Sequence, residues 1–86
     1  MTLALARDVT ATETEDGMVL LNERDGKYWQ LNRTGAATLR LLLDGHPPED
    51  AAARLVAGRP ELSERVRTDV RALLGSLRAA GLVVTA

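Results

Sequence analysis

Apolar and polar positions follow two rhythms along this chain. Up to Leu31 the apolar residues alternate or come in short runs, as in strands; from Asn32 to Gly81 they recur every three or four positions, as in helices. Val9-Thr10-Ala11-Thr12-Glu13-Thr14 is rich in β-branched residues and predicts a first strand. Glu15-Asp16-Gly17 is a turn signal, and Met18-Val19-Leu20-Leu21 predicts a second strand. Lys27-Tyr28-Trp29-Gln30-Leu31 predicts a third. Between these last two, Asp25-Gly26 suits a two-residue type I′ hairpin turn. That turn sets Leu20 opposite Leu31, Asn22 opposite Trp29 and Glu23 opposite Tyr28. Leu20, Trp29 and Leu31 then share one face, and Val19, Leu21 and Tyr28 the other. On this reading Trp29 and Leu31 belong to the core.

Three helices follow. Asn32 or Thr34 caps the first, which runs through Leu39, Leu41, Leu42 and Leu43 and stops at Gly45. His46-Pro47-Pro48 is a connector, after which Pro48, Glu49 and Asp50 suit the first turn of a short helix ending near Gly58. Pro60 and Glu61 open a long third helix that stops at Gly81. Its apolar stripe is Val66, Val70, Leu73 and Leu77, with Leu74 to one side and Arg67, Arg71 and Arg78 beyond. Leu82-Val83-Val84 reads as a short closing strand or an apolar strap. The expected fold is α+β and winged helix-turn-helix-like, a three-stranded antiparallel sheet followed by three helices, with residues 1–86 forming one domain.

Composition narrows the function. The 86 residues contain no Cys, one His (His46) and two aromatic residues, the adjacent Tyr28 and Trp29. Without Cys there is no disulfide framework, thiol nucleophile or thiolate metal site. With one His, a catalytic triad or two-His metal centre lacks its parts. Neither catalysis, a metal nor a cofactor is expected. Lys plus Arg number 11 against 12 Asp plus Glu, a net charge of −1, without the basic footprint of a nucleic-acid binder. No apolar run approaches the ~18–20 residues that span a membrane, and Met1 to Ala6 does not read as a signal peptide. A soluble cytoplasmic protein is the expectation.

Two constellations carry chemistry. The third strand ends the strand run, so it is a candidate sheet edge, and it holds both rings. An edge offers unpaired N–H and C=O groups to which a peptide adds as another strand. A third helix flanking that edge would form a groove in which Arg67 and Arg71 meet acidic residues of a peptide. The same arginines suit a DNA-reading helix, against which the net acidity and Glu61 and Glu64 argue. Gly75-Ser76-Leu77 is superficially similar to an acyl-carrier attachment site, but Gly75 stands where that motif has Asp.

Gly26-Lys27-Tyr28-Trp29-Gln30-Leu31-Asn32-Arg33-Thr34-Gly35-Ala36, followed by Leu39 through Gly45, resembles the signature of the PqqD family. Asp69-Val70, Leu73-Leu74, Leu77 and Gly81-Leu82-Val83 resemble the family's C-terminal half, and the likeness extends over roughly Val9 to Val84. Within the family, the stand-alone size and the Tyr-Trp-Gln-Leu-Asn string look most like the recognition proteins of lasso peptide biosynthesis. The resemblance implies a non-catalytic RiPP recognition element. It would bind the leader of a ribosomally synthesised precursor by β-augmentation and present it to a cysteine-protease-type leader peptidase and an ATP-dependent lasso cyclase. It implies a peptide site at Lys27, Tyr28, Trp29, Gln30 and Leu31, with Val66, Arg67, Asp69, Val70, Leu73 and Leu74 on the third helix. A pyrroloquinoline quinone precursor-peptide chaperone acting with a radical enzyme is the alternative within the family. A small winged-helix DNA-binding protein is the alternative outside it.

Overall fold

A computed structural model describes residues 2–85. The element order is β1 (Leu3–Leu5), β2 (Val9–Thr14), β3 (Gly17–Asn22), β4 (Lys27–Asn32), α1 (Arg33–Leu43), α2 (Pro48–Leu55), a 3₁₀ turn (Pro60–Leu62), α3 (Ser63–Ala79) and β5 (Val83–Thr85). β2, β3 and β4 form an antiparallel sheet in that order, so the three-stranded sheet and three helices match expectation. The third strand of the sequence reading is β4, and it is an edge. Of Leu82-Val83-Val84, the two valines lie in a strand: β5 pairs with β1 in a separate two-stranded ribbon, Leu3 opposite Thr85 and Leu5 opposite Val83.

The β3–β4 register differs from the expected one by two residues. Leu20 pairs with Trp29, Leu21 with Tyr28 and Met18 with Leu31. A type I′ turn needs positive φ at both central residues, and of Asp25 and Gly26 only Gly26 has it, at +72°. The chain instead makes a four-residue loop from Glu23 to Gly26. Asn22 Oδ1 accepts from the Arg24 N–H at 3.0 Å and Asp25 Oδ1 from the Lys27 N–H at 2.9 Å, while the Gly26 N–H reaches the Asn22 carbonyl at 2.8 Å. Because side chains alternate with period two, a two-residue shift keeps each residue on its expected face.

The core gathers Leu3, Val9, Met18, Leu20 and Leu31 from the strands with Ala36, Leu39 and Leu42 of α1, Ala51 of α2, Leu74 and Leu77 of α3, and Leu82 and Val83. Trp29 is not among them; it is 38% exposed, contrary to the core position expected for it. It lies on the edge strand, where its ring lines an open hollow beside Leu82. α1 is capped by Asn32, whose Oδ1 accepts from the Gly35 N–H at 2.7 Å. α3 ends in a Schellman motif: Leu82 N–H bonds to the Leu77 carbonyl and Gly81 N–H to the Arg78 carbonyl, with Gly81 at φ +73°. That motif turns the chain directly into β5.

Candidate functional site

β4 leaves one backbone edge without a strand beside it, and residues Lys27 to Gln30 are exposed along it. Tyr28 is 72% exposed and shares the outer face of the sheet with Val19, Leu21 and Gln30, whereas Trp29 and Leu31 face the helices. Leu31 is buried, so the strand sinks into the core at its C-terminal end.

α3 stands across from this edge without closing on it. Its neighbours are α1, α2 and β5, while β4 packs on β3 and α1. Two hollows occupy the gap. One, of about 490 Å³, is lined by Asn22, Asp25, Lys27, Tyr28, Trp29, Ala80 and Leu82. The other, of about 360 Å³, is lined by Asn32, Thr34, Gly35 and Thr38 around the start of α1, Leu55 of α2, and Val66, Asp69, Val70 and Leu73 of α3. The end of α3 therefore lies near the start of β4 and the first half of α3 near its end, so strand and helix run in opposite directions along one cleft.

The helix stripe divides between core and cleft. Val70, Leu74 and Leu77 are buried, and Val66 and Leu73 are half-buried beside exposed Asp69. Of the helix residues the sequence singles out, Val66, Asp69, Val70 and Leu73 come together in one hollow. Leu74 points into the core. Arg67 lies on the flank toward α2, in a notch of about 120 Å³ with Glu49, Ala52, Ala53, Val56 and Ser63. Arg71 also turns that way, its Nη2 3.8 Å from Glu49 Oε1. Arg67 and Arg71 face α2 instead of β4, because they project roughly 100–140° around the helix from Val66, and Arg78 donates to Thr85 Oγ1 of β5 at 2.8 Å.

Thr34, Gly35, Thr38, Leu55, Ala80 and Leu82 line the cleft without having been singled out by periodicity. They come from α1, α2 and the turn after α3, so no single period along the sequence marks them as one surface. Thr38 is buried, and its hydroxyl donates to the Thr34 carbonyl at 2.8 Å, so it presents no free donor to the cleft. Among the described residues, no cluster of His, Cys, Asp and Glu is placed to hold a metal ion. No helix among them is long and apolar enough to cross a membrane.

This architecture is that of two solved structures. One is described as lasso peptide synthetase B1 complexed with the leader peptide; it superposes with a TM-score of 0.89 at 36% sequence identity, over 99% of this chain and 100% of that one. Another, TbiB1 in complex with the TbiA(beta) leader peptide, gives a TM-score of 0.82 at 26% identity, over 100% of this chain and 98% of that one. No curated protein matches the chain closely enough to count as a relative. The family described as coenzyme PQQ synthesis protein D (PqqD) matches residues 17–83, from the first residue of β3 to the first of β5. On a match of that extent, the chain belongs to the PqqD family.

Proposed function

We propose that this protein is a non-catalytic adaptor that binds the leader segment of a ribosomally synthesised precursor peptide. The observation that carries the reading is the exposed edge of β4 facing an apolar cleft under α3. An extended peptide adds to β4 as a fourth strand, with backbone hydrogen bonds supplying affinity and the two hollows receiving alternate side chains. Lys27 to Leu31 carry the peptide backbone, and Val66, Asp69, Val70 and Leu73 meet its side chains. Leu74 acts from the core and Arg67 from outside the cleft. Both similar solved structures are complexes with leader peptides, which supports the same ligand class here.

In this reading the adaptor works in the cytoplasm in lasso peptide biosynthesis, as a single winged-helix-like domain. It presents the bound precursor to a cysteine-protease-type leader peptidase and an ATP-dependent cyclase. The family's description favours one other reading, a chaperone of the pyrroloquinoline quinone precursor. The two differ in which precursor leader binds.

The test is a titration with the synthetic leader of the precursor encoded beside this gene, read by Trp29 fluorescence. Trp29 is the only tryptophan and lines the larger hollow. Saturable binding at micromolar or lower concentration, retained in moderate salt, is expected. Absence of binding by both fluorescence and calorimetry overturns the reading.

A further inference from the structure

In the hollow beside α3, Asp69 has no charged partner among the described residues. Asp69 is the single charged residue lining the hollow between α1 and α3, where its neighbours include Val66, Val70, Leu73 and Leu55. Among the described residues, the ion pairs join other acidic and basic side chains and none involves Asp69, nor does a side-chain hydrogen bond reach its carboxylate. In the open cleft water solvates it. A peptide laid along β4 would displace part of that water, and a carboxylate partly covered without a partner loses solvation that nothing restores.

We infer that Asp69 is a specificity determinant that selects a lysine or arginine side chain in the bound peptide, at the position that crosses the C-terminal end of β4. This inference rests on the adaptor reading and names a chemical feature of its ligand. A lysine or arginine fits both parts of the site. Its aliphatic stem lies along Val66 and Leu73, and its charged head reaches the carboxylate. An apolar residue there leaves Asp69 desolvated and unpaired. An acidic one adds like-charge repulsion, so the site discriminates as much by rejection as by attraction. The other end of the cleft differs: its hollow is lined by both Lys27 and Asp25, so it has no single sign of charge. A cationic side chain is therefore directed to the Asp69 end, which fixes the register of the peptide.

The experiment uses two synthetic leaders, that of the precursor encoded beside this gene and the TbiA(beta) leader. Each position in turn is replaced by lysine, norleucine and glutamate, and binding is measured by Trp29 fluorescence and calorimetry to the wild-type protein and to Asp69→Asn and Asp69→Lys. Asp69 is exposed on a helix, so both variants are expected to fold, which circular dichroism checks. At one position lysine should bind the wild type roughly two- to fivefold more tightly than norleucine, the range of an exposed ion pair. That preference should vanish in Asp69→Asn and turn toward glutamate in Asp69→Lys. If the wild type binds leaders but no position changes its charge preference with residue 69, the inference is overturned and the adaptor reading stands. If the wild type binds neither leader, both are overturned.

Discussion

Leu20 and Trp29 sit directly opposite one another on the inner face of the sheet, yet Leu20 is fully buried and Trp29 is 38% exposed. The boundary between core and cleft runs between these two side chains. Replacing Leu20 with Ala should cost about 2–5 kcal/mol, the range for a buried leucine. Trp29→Ala should fall well short of the ~3–5 kcal/mol of a core aromatic and should weaken leader binding instead. Denaturant unfolding and calorimetry separate the two effects. A Trp29→Ala protein as unstable as Leu20→Ala would put the ring in the core after all.

Tyr28 is the opposite case, a ring 72% exposed on the outer face. Tyr28→Ala should leave the melting temperature close to wild type and weaken leader affinity by more than ~1 kcal/mol. Equal affinity of variant and wild type would remove Tyr28 from the peptide site.

Gly17 opens β3 where it meets the end of β4, and a Cβ built on it would run into the Leu31 carbonyl oxygen and the Asn32 backbone. Backbone has little freedom to withdraw, so Gly17→Ala should destabilise by about 1–3 kcal/mol. The strain would fall on the strand end that leads into the cleft, so leader binding should weaken too. A Gly17→Ala protein with wild-type unfolding would show that the two strands separate freely there.

Asp50 joins the α1–α2 corner. Its Oδ2 lies 3.0 Å from Arg54 Nε and 2.7 Å from His46 Nδ1. The hydrogen bond from Arg54 chiefly, with that from His46, holds its pKa below the ordinary value of 3.8, against a smaller opposing effect of desolvation. A carboxylate with a lowered folded pKa stabilises above its unfolded value and loses that contribution as pH falls through the folded one. Acid unfolding curves of Asp50→Asn should therefore converge on wild type at the lowest pH, with the variant less stable near neutrality. Parallel curves across the whole range would show that the carboxylate contributes nothing through ionisation.

Elements with local causes were legible in the sequence. The cap candidates Asn32 and Thr34, of which Asn32 is the cap, and the stops at Gly45 and Gly81 placed helix ends, and the β-branched, apolar and aromatic runs placed three strands. The β3–β4 register was not, because Asp25-Gly26 also fits a longer loop and the choice depended on side-chain bonds from Asn22 and Asp25. The faces of Tyr28 and Trp29 survived because the displacement was even. The β1–β5 ribbon was hidden for a different reason. The apolar run at Leu82-Val83-Val84 signalled a closing strand, but its partner Leu3–Leu5 lies at the other end of the chain, and only the tertiary fold brings the two together. On α3, periodicity put Leu73 in the core stripe and Leu74 to one side, and the fold reverses the two: Leu74 is buried in the core and Leu73 borders the cleft, because the stripe's edge, not its centre, meets the strands.

The β1–β5 ribbon also makes the covalent order of the chain negotiable. Residues 3 and 85 are cross-strand partners, so a few glycines could join the ends described here without crossing either face of the cleft. New termini could then be opened in the exposed loop between Val56 and Pro60, which belongs to neither β4 nor α3. A circularly permuted protein of this kind would keep the strand edge, α3 and both hollows in place. A processing enzyme or a reporter could then be tethered beside α2, with the peptide edge left open.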